Sequence, residues 1–266
     1  MPELAEVKLT ADYINTSTHR KTFTQIKKNP IHKCEDVNIN YQQFYLHAVS
    51  RGKELVLFIS DANSVNYIPL RMTMGMSGHF SMTETGQEAK HAHLMFLATN
   101  NTTLSFVDVR RFGKWKVNYS WSSNRGPCPL EDNDAFALNI MNNLHKKIFN
   151  KPIFEILMNQ QYFNGIGNYI RCELIGRIGG LNPFINARDA IKQYPQILTY
   201  CHDIPNIAYN LLKGTKNNIN TIQLKTNKSN FNNFLKYYRN KNKCFPIKDK
   251  NGRTYWCDKK WKYLIN

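Results

Sequence analysis

The sequence predicts a two-domain α+β protein: a strand-rich amino-terminal sandwich or barrel led by a helix, then a helical domain that ends in a short strand pair. Three observations predict it. Residues from about 35 to 118 carry short apolar or alternating runs, LVLFIS at 55–60, HLMFLA at 93–98 and TLSFVDV at 103–109, the last two separated by a turn at Asn100 and Asn101. A stretch holding Ser122, Ser123, Asn124, Gly126, Pro127 and Pro129 then breaks the pattern. Beyond it the apolar spacing becomes helical.

In chain order, the first element is a helix. Pro2 suits a first turn, Glu3 and Glu6 complement the positive end, and Leu4, Val7, Ala11 and Ile14 recur at helical spacing. The strand-rich region follows, giving a sandwich or barrel over residues 1–121. A linker is expected over 122–133, and a helical domain over 134–240. Within it Asp134 to Phe149, Pro152 to Gln161 and Tyr169 to Ile178 read as helices. Residues 213–243 are rich in Lys and Asn and predict a mobile loop, and a short strand pair closes the chain over 241–266.

The 266 residues carry a formal net charge of +17. Its distribution is uneven: residues 207–266 hold fourteen Lys or Arg against Asp249 and Asp258. Such a segment suits a polyanion, because Lys and Arg gain affinity by releasing counterions condensed on phosphates. A membrane surface and a solubilising tail are the rival readings. The aromatic residues Phe231, Phe234, Tyr237, Tyr238, Tyr255 and Trp256, interleaved with those charges, favour a folded nucleic-acid module. No apolar run approaches the roughly 20 residues needed to cross a bilayer. MPELAEVKLT has no secretory pattern, so a soluble protein of a reducing intracellular compartment is expected. The six cysteines form no close pairs and read as buried thiols.

Pro2 carries the chemistry. A small second residue allows Met1 to be removed, which leaves a secondary amine at the positive end of a helix. α-Amines titrate near pH 8, so part of the population can attack a sugar carbon and form an iminium. Glu6 follows about one turn later and Glu3 adjoins, so two carboxylates stand ready to move protons.

MPELAEV resembles the start of the formamidopyrimidine-DNA glycosylase/endonuclease VIII family. RGKELVLFI at 51–59, GMSGHF at 75–80, KHAHLMF at 90–96, VDVRRFGKW at 107–115 and GPCPL at 126–130 follow in family order. QQYFNGIGNYIRCEL at 160–174 resembles the family's helix-two-turns-helix element. The resemblance implies an α+β fold, with an amino-terminal β-sandwich joined to a helix-two-turns-helix domain with an antiparallel β-hairpin finger, and the activity of a bifunctional DNA glycosylase and abasic-site lyase. Pro2 is then the nucleophile, with Glu3, Glu6 and Lys53 completing the catalytic set. Met76, Arg110 and Phe112 fill the gap left by a flipped nucleotide, and Gly167, Asn168 and Arg253 hold the phosphate backbone. Strand cleavage by β and then δ elimination is implied, without a cofactor. The implied partner is duplex DNA bearing oxidised bases or abasic sites, lying between the two domains of a monomer.

The finger departs from the commoner pattern of two Cys-x2-Cys pairs. Ile247 stands three residues after Cys244, and Lys260 three after Cys257. Two ligands do not make a structural zinc site, which wants four. The chain therefore resembles the zincless branch of the family, in which Tyr255, Trp256 and Trp261 would supply packing and NGRTYW at 251–256 keeps Arg253. That branch mostly removes oxidised pyrimidines and ring-opened purines. His79, His91 and His93 are the remaining metal candidates, and no site is assigned to them. Ala5 replaces the family's second proline. Two rivals stay open: a non-catalytic damaged-DNA binder and an RNA-binding module.

Overall fold

The computed structural model describes residues 2–213 and 228–264. The chain divides into two compact units, the first ending at Ser123 and the second beginning at Asn124.

In the first unit, helix α1 (Leu4–Thr18) precedes eight antiparallel strands. These are β1 (Phe23–Lys28), β2 (Phe44–Arg51), β3 (Glu54–Asp61), β4 (Tyr67–Thr73), β5 (His79–Glu84), β6 (Ala92–Ala98), β7 (Thr102–Val107) and β8 (Lys114–Val117). Their order is β5-β7-β6-β1-β2-β3-β4-β8. Only the pair Phe23↔Phe44 joins β1 to β2, so the ladder is nearly severed at its middle into two four-stranded halves. The halves face each other across one core: Phe106 on β7 meets Trp115 on β8 edge-on at 6.2 Å, although these strands lie toward opposite ends of the order. That is the expected sandwich. Strand β2 shows the alternation that builds it, with Phe44, Leu46 and Ala48 buried while Tyr45, His47 and Val49 face out.

The predicted helical face of α1 is the one buried, with Leu4, Val7, Ala11 and Ile14 all in the core. Strand β7 stops at Val107, short of the expected 109, because Asp108 leaves the ladder to gather loop amides.

The second unit contains α2 (Asn133–Met141), a 3-10 turn (Lys147–Asn150), α3 (Ile153–Ile156), α4 (Asn168–Arg177), α5 (Ala187–Gln193), α6 (Gln196–Lys213) and α7 (Lys228–Phe234). The hairpin β9 (Cys244–Lys248) and β10 (Thr254–Asp258) follows, then a 3-10 helix (Lys259–Leu264). Two helices are shorter than the periodicity predicts, for one physical reason. Asn143 donates to the Asn139 carbonyl at 2.6 Å just past α2, and Asn159 takes the Gln161 amide at 3.0 Å just past α3. Side chains that bond nearby backbone compete with the helix and end it. The loop expected over 213–243 falls partly outside the described residues, at 214–227; its later part is α7 and the turns that follow. Among the described residues no helix is long and apolar enough to cross a membrane.

Candidate active site

The predicted residues fall into three local groups, two in the first unit and one in the second. The first is the start of α1. Glu3 is its N-cap, and Glu3 and Glu6 form a reciprocal capping box: the Glu3 carboxylate accepts from the third helical amide, while the Glu3 amide donates to Glu6 Oε2 at 3.0 Å. Pro2 is half-buried immediately before this cap. The box does more than terminate a helix, because it fixes two carboxylates beside the residue that would bear the amine. Burial, reinforced by the charge of Glu3, pushes the Glu6 carboxyl from its ordinary 4.5 up to about 7.

Lys53 reaches the same end of the unit by helix and strand arithmetic. Asn15 clasps Ala48 of β2 through both its amide atoms, at 2.7 and 2.8 Å, and Thr18 bonds the Leu46 carbonyl, so α1 runs antiparallel to β2. Eleven residues back along α1 from Asn15 to Leu4 cover about 17 Å. Three residues of strand forward from Ala48 to Arg51 cover about 10 Å, and the turn that holds Lys53 comes next. The start of α1 and that turn therefore lie toward the same end of the unit. Lys53 occupies the two-residue turn between Arg51 and Glu54, made possible by Gly52 at φ 61°. Beside it, buried Glu54 accepts from the Ser122 amide at 3.1 Å and from its hydroxyl.

The second group comprises Met76, Arg110 and Phe112, all exposed on two adjoining loops. Their closeness rests on Gly75 and Asp108. A Cβ at Gly75 would lie 2.5 Å from both the Gly113 nitrogen and the Phe112 carbonyl carbon, so only glycine lets the loops touch. Asp108, fully buried, accepts from Gly113 N at 2.7 Å, from Arg110 N at 3.2 Å and from the Ser77 hydroxyl. Burial would raise its carboxyl, but these hydrogen bonds outweigh burial and hold it below its ordinary range. The Arg110 guanidinium lies over the Phe112 ring at 4.6 Å.

The third group joins Gly167, Asn168 and Arg253 in the second unit. Gly167 is the N-cap of α4, and Asn168 begins that helix, donating to the Thr254 carbonyl at 2.7 Å. Arg171, one turn on, is fully buried: it bonds Asn168 Oδ1, the Phe154 carbonyl at 2.9 Å and Asp249 at 3.0 Å, with its guanidinium 5.2 Å from the Tyr255 ring. The same Asp249 takes Arg253 Nε at 2.8 Å and the Arg253 amide at 3.0 Å. Burial acting to raise the Asp249 carboxyl is overcome by these amide and guanidinium partners, so it stays ionised. The helix start and the finger are therefore one cross-braced piece, and no hydrogen bond among the described residues uses the terminal nitrogens of Arg253. Glu173, also buried, secures the segment after α7 by accepting the amides of Lys236, Tyr237 and Tyr238 at 3.0, 2.8 and 2.9 Å.

Cys244 and Cys257 lie on neighbouring positions of the hairpin, and burial pushes both thiols up to about 12. Among the described residues no group of three or more His, Cys, Asp or Glu is placed to hold a metal ion. His79 bonds the Ser77 carbonyl, and His93 bonds the Asp108 carbonyl.

Sequence reasoning singled out neither Glu54, Asp108, Arg171 nor Asp249. Two carried a signal. Asp249 opens a D-K-N-G-R turn, and Arg171 stands one helical turn after Asn168, on the same face.

The profile of the formamidopyrimidine-DNA glycosylase N-terminal domain matches residues 1–115. Endonuclease 8-like 1 of Homo sapiens is 30% identical over 96% of this chain and 72% of its own length. The mouse protein of the same name is 32% identical, over 77% of this chain and 60% of its own length. Formamidopyrimidine-DNA glycosylase of Zymomonas mobilis is 28% identical over 66% of each. The fold is similar to that of the LlFpg protein, solved in a complex with a THF-DNA and an inhibitor: the TM-score is 0.75 at 21% identity, over 98% of this chain and 99% of that one. With its amino-terminal region matched by that profile and nearly its whole length aligned to a human relative, this chain belongs to the formamidopyrimidine-DNA glycosylase/endonuclease VIII family.

Proposed function

We propose that this protein is a bifunctional DNA glycosylase and abasic-site lyase of base excision repair, acting on duplex DNA that bears oxidised pyrimidines, ring-opened purines or abasic sites. The observation that carries the reading is the capping box at Pro2, where two carboxylates are locked beside the future amine and one is tuned near neutrality. Family membership and the similar fold of a protein solved with THF-DNA support it.

After Met1 is removed, the Pro2 nitrogen attacks C1′ of the flipped nucleotide. The N–C1′ bond forms as the glycosidic bond breaks, and the departing base takes a proton. Glu6 suits a group that both accepts and returns protons near neutral pH. Opening of the C1′–O4′ bond yields an iminium, which acidifies the C2′ hydrogens. Loss of one of them expels the 3′ phosphate, a second elimination expels the 5′ phosphate, and water then frees the amine. Lys53 supplies a fixed positive charge for a phosphate or sugar oxygen near Pro2. Met76, Arg110 and Phe112 occupy the vacated stack, with Arg110 facing the unpaired base, so that part of the cost of flipping is offset. Gly167, Asn168 and Arg253 hold the backbone by amides and a guanidinium, a mode that positions DNA without reading its sequence. No metal or cofactor takes part, and the protein works as a monomer.

Borohydride trapping tests this. Protein beginning at Pro2 should form a reduced covalent adduct with abasic-site DNA, and protein retaining Met1 should not. Intact binding without an adduct would favour a non-catalytic damaged-DNA binder.

A further inference from the structure

The first unit contains a cavity of about 540 Å³ that shares Arg110 with the group above and otherwise takes no part in the chemistry proposed. Its volume lies in the range of small-molecule sites. Lys33, Arg110, Arg111, Lys114 and Lys116 line it, all five are exposed, and no carboxylate lines it. Cations gathered around one opening repel each other, and a polyanion relieves that repulsion. The floor is aromatic: Trp115 is 2% exposed, and His32 stacks on it at 4.3 Å.

Beneath the rim, His32, 4% exposed, has no hydrogen-bond partner for Nε2 among the described residues, and neither has Nδ1 of His93, whose ring lies 5.0 Å away. Buried polar atoms without partners are rare in folded proteins, and one of these two belongs to a residue of the cavity lining. On the rim, Arg111 holds φ at 56°, in the left-handed region that a non-glycine residue adopts at a cost.

We propose that this cavity binds a phosphate-bearing nucleotide, its phosphate held by the lysine and arginine rim and its base seated toward His32 and Trp115. The nucleotide is a free one, distinct from the DNA strand that passes Arg110. The inference goes beyond the glycosylase reading and does not require Pro2 to be a nucleophile.

Photolabelling of the full chain with 8-azido-deoxyadenosine triphosphate tests it. The label should map to peptides spanning 31–34 and 110–116. Lys33→Glu with Lys114→Glu should cut labelling by about tenfold, whereas Lys259→Glu with Lys260→Glu, an equal charge change in the other unit, should alter it by less than about twofold. If the first pair melts early, Lys33→Gln with Lys114→Gln should still reduce labelling severalfold in folded protein. Label elsewhere, equal loss from both glutamate pairs, or equal labelling by 8-azido-deoxyadenosine lacking phosphate would each overturn the proposal. Label that persists under saturating undamaged duplex supports a free-nucleotide site, and its loss would overturn the proposal by assigning the rim to the DNA strand.

Discussion

Glu6 shows how one side chain can serve both a fold and a reaction. Its carboxylate closes the capping box, which favours the charged form, but burial and the neighbouring charge of Glu3 win and lift it to about 7. The sign of the pH dependence follows. A carboxyl that binds its proton more tightly in the folded state gives proton-linked stability that is full below its ordinary 4.5 and lost as pH rises through about 7. In the chain that keeps Met1, thermal unfolding should therefore show a Tm that falls between pH 5 and pH 8, at about the positions of those two values. Glu6→Gln should flatten that fall. An unchanged slope in the variant would show that Glu6 does not titrate in this range.

At the scale of elements, the finger is held to α4 by charge. Arg171 and Asp249 have fully buried side chains 3.0 Å apart, and aromatic rings at Phe154 and Tyr255 cover them. Removing one member of a buried pair strands the other without water or a counter-charge. Asp249→Ala should therefore destabilise the protein by about 3–5 kcal/mol, measured by denaturant unfolding. Arg171→Met combined with Asp249→Leu should recover much of that loss, since both charges then leave together. A double variant as unstable as the single one would mean that the damage lies in packing. DNA binding by the repacked protein should nonetheless weaken, because Asp249 is what orients Arg253 and Arg171 is what orients Asn168.

For the whole molecule, the same network answers what holds a hairpin with one cysteine on each strand. Cys244 and Cys257 are buried thiols, and the hairpin is secured by Asp249, by the Asn168 bond to Thr254 and by the Trp256 amide on Cys172 Sγ at 3.4 Å. Purified protein should accordingly carry zinc far below one ion per chain, and its unfolding midpoint should not move when a chelator is added. One zinc per chain, lost with a drop in Tm, would overturn this account. The +17 charge belongs to this scale too: most of it lies in residues 207–266, and the cations that meet phosphates set the salt dependence of polyanion binding.

By itself the sequence determined what is periodic or contiguous. The buried face of α1, the runs that became β3, β6 and β7, the break near residue 123 and the helix start at Asn168 are local patterns, set by helix and strand repeats. It also carried Pro2 with its two carboxylates, because a capping box is complete within four residues. Tertiary structure decided everything that depends on a distant partner. Asp108 draws together loops some thirty residues apart, Arg171 meets Asp249 seventy-eight residues later, and the turn that carries Lys53 lies at the same end of the unit as the start of α1 because Asn15 clasps Ala48. Such pairs leave no period in the sequence, since a buried charge is matched by geometry and not by spacing. For the same reason a basic cavity over His32 and Trp115 is invisible until strand β8 lies against the loop at 31–34.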